Sequence, residues 1–348
     1  MASGRPSPWA SWVHRAWQTR NPVTALLWPV SALLGLWVRR QRSRSQAGQI
    51  PLVHLGRPVV VVGNWVVGGA GKTPTLMALA EGLTQRGWRP GIVSKGYGRQ
   101  SKETVLVRPF DDALRTGDEP LLLRVRTCCP TAVATSREAA AQALLAAHPE
   151  CDVLLCDDGL QQWNLHRDAS LVVSDERGLG NGWLMPAGPL REPSPQPAAG
   201  THVIYNGADV PRPFPGHTLH SRPGTWKPLH EWWNMKGWSH PLPAHGSEIT
   251  AVCGIGRPAR FFDMLRHLGW KVREWPLPDH APLHEVDWSA IPGTHIVITE
   301  KDAVKLTRHL DPRIWVVPLD TALPADLLDL IGRQLAGAAR HPPSPSVR

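Results

Sequence analysis

The residues best able to do chemistry lie together between positions 59 and 74. A run of four valines, typical of a buried strand, is followed by a turn that contains Gly68, Gly69 and Gly71. Lys72 and Thr73 then open a stretch of helix-forming residues. A strand, a glycine-rich turn and Gly-Lys-Thr at a helix start are the parts of a phosphate-binding loop. The stretch therefore predicts a site for nucleotide phosphates.

The residue types in this stretch suit phosphate chemistry. Glycines let the backbone approach phosphate oxygens, and a helix N-terminus presents free N–H groups and the positive end of a dipole. Lys72 would reach the β- and γ-phosphates of a nucleotide, and the Thr73 hydroxyl would bind Mg²⁺. The strict pattern has glycine where this chain has Val66. A glycine turn that binds nothing is the alternative, but the flanking strand and helix signals favour phosphate binding.

Two aspartates further along the chain fit the same chemistry. Asp157 and Asp158 directly follow the apolar run 153–156, which is typical of a buried strand. A carboxylate at the end of such a strand holds Mg²⁺ in phosphate-loop enzymes. Two turn-forming aspartates are the alternative, which the phosphate loop upstream disfavours.

The elements around these residues predict an α/β protein. Short apolar runs alternate with helix-forming stretches, which indicates a mostly parallel sheet of the P-loop NTPase type with helices on both faces. Eight prolines between residues 193 and 228 indicate a linker, and a second, smaller alternating block follows. The predicted units are an N-terminal membrane-associating segment (1–50), a P-loop domain (51–225), a smaller α/β domain (226–320), a C-terminal helix (321–340) and a disordered tail (341–348).

The charge of the chain is concentrated at its N-terminus. The formal net charge is +9, and residues 1–80 contain nine Arg and Lys but no Asp or Glu. A basic segment attracts anionic lipid or nucleic acid. The five cysteines show no Cys-x-x-Cys spacing, so neither a metal site with cysteine ligands nor a disulfide framework is expected. A reducing compartment fits this cysteine usage.

The apolar run 23–38 decides what the basic segment binds. A signal peptide, a transmembrane helix near the minimum length with Pro29 inside it, an interfacial helix and a buried core helix all remain open. In a helix, Leu26, Val30, Leu33 and Trp37 share one face that arginines border. We therefore expect attachment to an anionic membrane surface rather than to nucleic acid.

Several motifs in one order resemble the tetraacyldisaccharide 4'-kinases of lipid A biosynthesis. They are Gly63-Asn64 and residues 67–74, Gly96-Tyr97-Gly98, Gly117-Asp118-Glu119-Pro120, Asp157-Asp158-Gly159-Leu160-Gln161, Gly180-Asn181-Gly182, residues 186–193, residues 254–258, Pro278-Asp279-His280 and residues 299–305. The resemblance implies a P-loop kinase that uses ATP and Mg²⁺ to phosphorylate the 4'-hydroxyl of an acylated glucosamine disaccharide 1-phosphate. It also implies a monotopic place on the cytoplasmic face of the bacterial inner membrane, with no obligate protein partner.

The resemblance also implies roles for individual residues. Asp118 matches the catalytic base, and His280 matches the histidine that pairs with it. Lys95 stands where the family usually has Arg, so a bidentate contact becomes a point charge, and Gln162 stands where His is common. The predicted site residues are the catalytic Lys72, Asp118 and His280; the nucleotide-binding Val66, Val67, Gly68, Gly69, Ala70, Gly71, Lys72 and Thr73; the substrate-lining Lys95, Tyr97, Arg137, Gln161 and Arg191; and the metal-binding Thr73, Asp157, Asp158 and Glu192.

Two other functions compete with the kinase. A membrane-associated P-loop ATPase switch often carries a lysine just before its paired glycines, where this chain has Val67. A nucleic-acid binder is disfavoured, because apolar residues interleave the arginines and no recognition motif occurs.

Overall fold

The computed structural model of the chain describes residues 13, 15–207, 209–234, 244–307 and 311–340. The predicted disordered tail (341–348) and the first twelve residues of the predicted N-terminal segment lie outside this part. The helices with full bounds are α1 (Pro22–Gln46), α2 (Lys72–Thr84), α3 (Ala113–Thr116), α4 (Asp118–Thr127), α5 (Arg137–Ala147), α6 (Leu229–Asn234), α7 (Pro258–His267), α8 (Glu300–Ala303) and α9 (Ala325–Arg340).

The first sheet has nine strands in the order β14-β8-β7-β6-β1-β5-β2-β4-β3. They are β1 (Val59–Gly63), β2 (Pro90–Ser94), β3 (Val105–Leu106), β4 (Thr131–Val133), β5 (Val153–Asp157), β6 (Ala169–Ser174), β7 (Thr201–Asn206), β8 (Gly216–Pro223) and β14 (Leu319–Ala322). All pairings are parallel except those of β3 with β4 and of β14 with β8. The prediction of a mostly parallel sheet is confirmed.

Strand β1 is the fifth of the nine strands in this sheet, and every one of its residues is buried. Val60 and Val62 face the apolar cluster that includes α2 and α9, and Val59 and Val61 face the cluster that includes α5. A strand covered on both faces needs a continuous apolar run, which explains the four valines. The phosphate loop therefore starts from a strand that is packed on both faces at the middle of the sheet.

The second sheet has five strands in the order β11-β10-β12-β13-β9. They are β9 (Lys227–Pro228), β10 (Glu248–Cys253), β11 (Lys271–Pro276), β12 (Ile296–Thr299) and β13 (Ile314–Val317). Helix α7 covers one face through Phe262 and Leu265. The chain enters this sheet after β8 and returns through β14 to the first sheet, where α9 packs on α2. The predicted boundaries of the two domains stay a prediction.

The linker predicted from prolines is wrong for much of the segment 193–228, which contains β7, β8 and β9. The prolines lie between these strands or at their ends, so they do not interrupt the hydrogen bonds within the ladder.

Helix α1 contacts the protein through small and polar side chains. The Ser31 hydroxyl donates to the Leu184 carbonyl (2.8 Å) and accepts from the Ala187 N–H (2.9 Å). The large apolar side chains point away from the protein; the exposed ones are Val23, Leu26, Leu27, Trp28, Val30, Leu33, Leu34, Leu36 and Trp37. By length and composition alone, α1 could cross a membrane. Its exposed apolar face contradicts the alternative of a buried core helix.

Candidate functional site

The phosphate loop between β1 and α2 has a conformation that requires glycine. Gly68 and Gly71 have φ angles of 96° and 98°, in the left-handed region that other residues rarely adopt. A Cβ at Gly71 would lie 2.2 Å from the Asn206 side chain, which donates to the Ala70 carbonyl. The loop thus closes tightly against β7.

The N–H groups of this loop are available for a ligand. In the described parts of the chain, those of residues 68–71 have no hydrogen-bond acceptor. The carbonyls are occupied instead: the Asn64 amide donates to Val66 O (2.6 Å) and Gly68 O (3.1 Å). N–H groups free at a helix N-terminus form an anion site.

Lys72 lies among the predicted metal and substrate residues. Its ammonium is 3.4 Å from Asn64 Oδ1 and 3.6 Å from Asp158 Oδ2. Arg191 donates to Asp158 Oδ1 (2.7 Å) and to Gln161 Oε1 (3.4 Å). Burial alone would raise the pKa of Asp158, but the charges of Lys72 and Arg191 lower it. The carboxylate is therefore kept ionised beside the phosphate loop.

Asp157 is buried and only partly satisfied. Its Oδ2 accepts from Ser94 Oγ (3.0 Å), while Oδ1 has no hydrogen-bond partner in the described structure. Burial, followed by the charges of Glu119 and Asp158, raises its pKa to about 7. A buried carboxylate oxygen without a partner fits a nearby hydrated cation.

The residues present fit a Mg²⁺ ion that arrives with a nucleotide. Among the described residues, no group of three or more His, Cys, Asp and Glu side chains forms an all-protein metal site. Mg²⁺ in phosphate-loop enzymes takes few protein ligands and completes its shell with phosphate oxygens and water. Thr73, at the start of α2, and Asp157 and Asp158, at the end of the adjacent β5, supply that kind of partial shell.

Asp118 and His280 meet across the two sheets. Asp118 is the buried first residue of α4, and its Oδ2 lies 2.9 Å from Nδ1 of His280, in the loop after β11. The carboxylate raises the pKa of His280, although burial opposes this. Burial would raise the pKa of Asp118, but the hydrogen bond from His280 and the charges of Lys301 and Lys305 lower it. The pair is therefore an ionised carboxylate with a basic histidine.

This pair belongs to the same edge of the first sheet as the phosphate loop. Gly117, which precedes Asp118, packs on Gly96, and the N–H of Gly96 donates to the hydroxyl of Ser94 that also holds Asp157. The carboxyl ends of parallel strands form the ligand-binding edge of such sheets.

A cavity of about 470 Å³ joins this edge to helix α1. Its lining includes Trp37 and Gln41 from α1 and Lys95, Asp158 and Gln161 from the site. The opening thus connects the exposed apolar helix to Asp158, whose carboxylate lies 3.6 Å from the Lys72 ammonium. Such a path suits an acceptor with both a lipid part and a polar part.

The remaining predicted residues lie near the site but make different contacts. Tyr97 is 82 % exposed, with its ring 5.9 Å from the ring of His280. Arg137 is buried and donates to the backbone carbonyls of Asp157 and Asp158, so it supports the turn after β5. Glu192 pairs with Arg42 of α1 at 3.5 Å, and burial raises its pKa. Metal binding by Glu192 stays a prediction.

The sequence reasoning missed functional roles for three residues in this site. Asn64 supports both the loop carbonyls and Lys72, while Lys301 and Lys305 place positive charge beside Asp118. All three lie within quoted motifs, but side-chain direction is not visible in a motif. Position next to the glycine turn was the available signal for Asn64.

A phosphate loop with Lys-Thr, an acidic pair on the adjacent strand and a buried carboxylate–histidine pair together define a P-loop phosphotransferase. The model of one family, described as tetraacyldisaccharide-1-P 4'-kinase, matches residues 23–336. The chain belongs to this family, so the resemblance inferred from the motifs is confirmed. The prediction of a kinase is therefore confirmed.

Known proteins agree with this assignment. The chain is 44 % identical to the tetraacyldisaccharide 4'-kinase of Leptothrix cholodnii, over 92 % of this chain and 95 % of that protein. It is also 44 % identical to that of Methylibium petroleiphilum, over 91 % of each. The crystal structure of LpxK from Aquifex aeolicus in complex with ATP matches with a TM-score of 0.73 and 25 % identity, covering 90 % of this chain and 99 % of that one.

Replacing Asn64 tests how the phosphate loop is supported. Asn64→Ala leaves two loop carbonyls without their donor, so the free energy of unfolding should fall by about 1–3 kcal/mol. Urea denaturation measures this. Asn164→Ala is the control, because that half-buried amide makes one long contact (3.5 Å) to Pro51 O. Equal losses in both variants would contradict the supporting role of Asn64.

Proposed function

We propose that this chain transfers the γ-phosphoryl group of ATP to the 4'-hydroxyl of a tetraacylated glucosamine disaccharide 1-phosphate. The observation that carries the proposal is the Asp118–His280 pair at the edge that also holds Lys72. A sugar hydroxyl needs a base for its proton, whereas a plain ATPase switch needs no such pair.

Each residue has a distinct part in the transfer. The free N–H groups of residues 68–71 and the Lys72 ammonium bind the phosphates and balance the charge that develops on them. The Asp118 carboxylate takes the proton of the acceptor hydroxyl, and His280, whose Nδ1 lies 2.9 Å from Asp118 Oδ2, donates to that carboxylate and orients it. Mg²⁺, held by Thr73 and by Asp157 or Asp158, would neutralise charge on the β- and γ-phosphates.

The acceptor is an acylated lipid, so the protein must work at a membrane. We propose that α1 lies in the interface of the cytoplasmic leaflet, with its apolar face among acyl chains and the protein attached peripherally. Arg39, Arg40 and Arg44 follow the apolar run and would contact anionic headgroups. The cavity between Trp37 and Asp158 would then carry the disaccharide towards the phosphate loop.

An assay with the purified protein tests the proposed function. With Mg-ATP and the disaccharide 1-phosphate, we expect ADP and a lipid with one additional phosphate in equal amounts. Lys72→Ala should lower this rate by at least about 100-fold, because it removes a positive charge from the developing phosphate charge. ADP formation that does not depend on the disaccharide would contradict the kinase proposal.

A double-variant cycle tests the pair. Asp118→Asn and His280→Gln should each lower kcat about 100-fold or more and leave the affinity for ATP nearly unchanged. The double variant should lose little more than either single variant, since the two residues act as a unit. Multiplicative losses would show that they act independently.

Vesicle sedimentation tests the membrane surface. Leu26→Ser with Leu33→Ser should reduce binding to phosphatidylglycerol vesicles, because both side chains are exposed on α1. The control is Leu52→Ser with Leu268→Ser, two exposed leucines outside α1. Higher salt should also weaken binding of the unaltered protein. Equal binding of both double variants would place the attachment elsewhere.

A further inference from the structure

The carbonyl groups of the phosphate loop are held by side chains from several elements. Asn64 binds two of them and Asn206 a third, as described above. Two arginines hold the rest: Arg177 donates to Val67 O (2.7 Å), and Arg257 donates to Gly69 O (3.1 Å). Five successive carbonyls, from residue 66 to residue 70, are therefore turned towards side-chain donors.

The two arginines share one buried carboxylate. Asp175 follows β6 and is fully buried. Arg177 donates to both of its oxygens (3.0 Å and 2.8 Å), and Arg257 donates to Oδ2 (2.6 Å). Bidentate guanidinium contacts are strong and directional. Asp175 thus fixes the direction from which both arginines reach the loop.

Arg257 differs from the other donors because it comes from the second sheet. It caps α7, directly after the loop that follows β10, whereas Asn64, Arg177 and Asn206 belong to the first sheet or its loops. Arg257 also pairs with Glu176. The contact to Gly69 O exists only while the second domain sits against the first.

We infer that Arg257, held by Asp175 beside Arg177, is a positioning residue that couples the seating of the second domain to the shape of the phosphate loop. It does not touch the reacting atoms in this account. Its donation to Gly69 O holds that peptide so that neighbouring N–H groups face the nucleotide. The same domain carries His280, so one movement would order the phosphate site and complete the base.

The coupling has a physical basis in preorganisation. A loop with three glycines has many accessible backbone conformations. Contacts that restrict the loop to one of them before binding lower the entropic cost of binding phosphate. Losing one charged donor should therefore weaken the binding of ATP rather than slow the chemical step. The inference rests on the proposed use of ATP by this site.

The test compares Arg257→Gln with Arg260→Gln. Arg260 lies on the same helix, and within the described ranges its ion pair is with Glu176, at 3.7 Å. Arg257→Gln should raise the KM for ATP about 10- to 100-fold, with kcat and the KM for the disaccharide changed little, as expected for a lost charged hydrogen bond. Arg260→Gln should stay within about twofold of the unaltered protein.

Two further measurements separate positioning from a loss of folded protein. Equilibrium binding of Mg-ATP without acceptor should weaken by the same factor, and the amides of residues 68–71 should exchange hydrogen faster in Arg257→Gln. Arg257→Lys keeps one donor group, so its affinity for Mg-ATP and its amide exchange rate should lie between those of the unaltered protein and those of Arg257→Gln. A kcat that falls while the KM for ATP and amide exchange stay unchanged would overturn the inference, as would identical behaviour of Arg257→Gln and Arg260→Gln.

Equilibrium binding of Mg-ATP, measured without acceptor, distinguishes a failure of this inference from a failure of the proposed function. If the unaltered protein binds Mg-ATP more tightly than Arg257→Gln but phosphorylates no disaccharide, the kinase proposal fails and the coupling stands. If it phosphorylates the disaccharide and both variants bind ATP alike, the coupling fails and the kinase proposal stands.

Discussion

Charged contacts between the two sheets are the constraint on which the site depends. Asp118 pairs with His280, Glu119 with Lys301, Arg126 with Glu300, and Asp175 with Arg257, each pair joining the first sheet to elements of the second domain. Buried ion pairs contribute little net stability but depend strongly on geometry, because misplaced charges stay desolvated. These contacts therefore specify one seating of the second domain, in which both the base and the phosphate loop are complete.

Helix α1 has a different relation to the fold. Most of its large apolar side chains are exposed, and its small and polar residues contact the rest of the protein. An ordinary amphipathic helix of a soluble protein has the opposite arrangement, with its apolar side chains against the core. Helix α1 therefore gains little from apolar burial within the protein. A lipid surface would supply that burial, and the cavity beside Trp37 would then open at membrane level.

Much of the fold followed from local patterns. The four valines of β1, the turn with Gly68 and Gly71, and the apolar run 153–156 of β5 each carry their own signal, and the structure has all three. The strands between residues 201 and 223 were missed because prolines lie before, between and at the ends of them, which is the composition of a linker. The contacts of Arg177 and Arg257 with the phosphate loop depend on how two sheets meet, and no spacing within the sequence encodes that geometry.

If Asp118 and His280 form one hydrogen-bonded unit, the protonation of the His280 ring depends on the Asp118 carboxylate, and an NMR titration of that ring measures the dependence. The signal is assigned by its loss in His280→Gln and followed with pH in the full-length protein. We expect a pKa above the ordinary 6.5 for His280, because the Asp118 carboxylate favours the protonated ring. The value should fall in Asp118→Asn. The same pKa in both proteins would contradict the pairing.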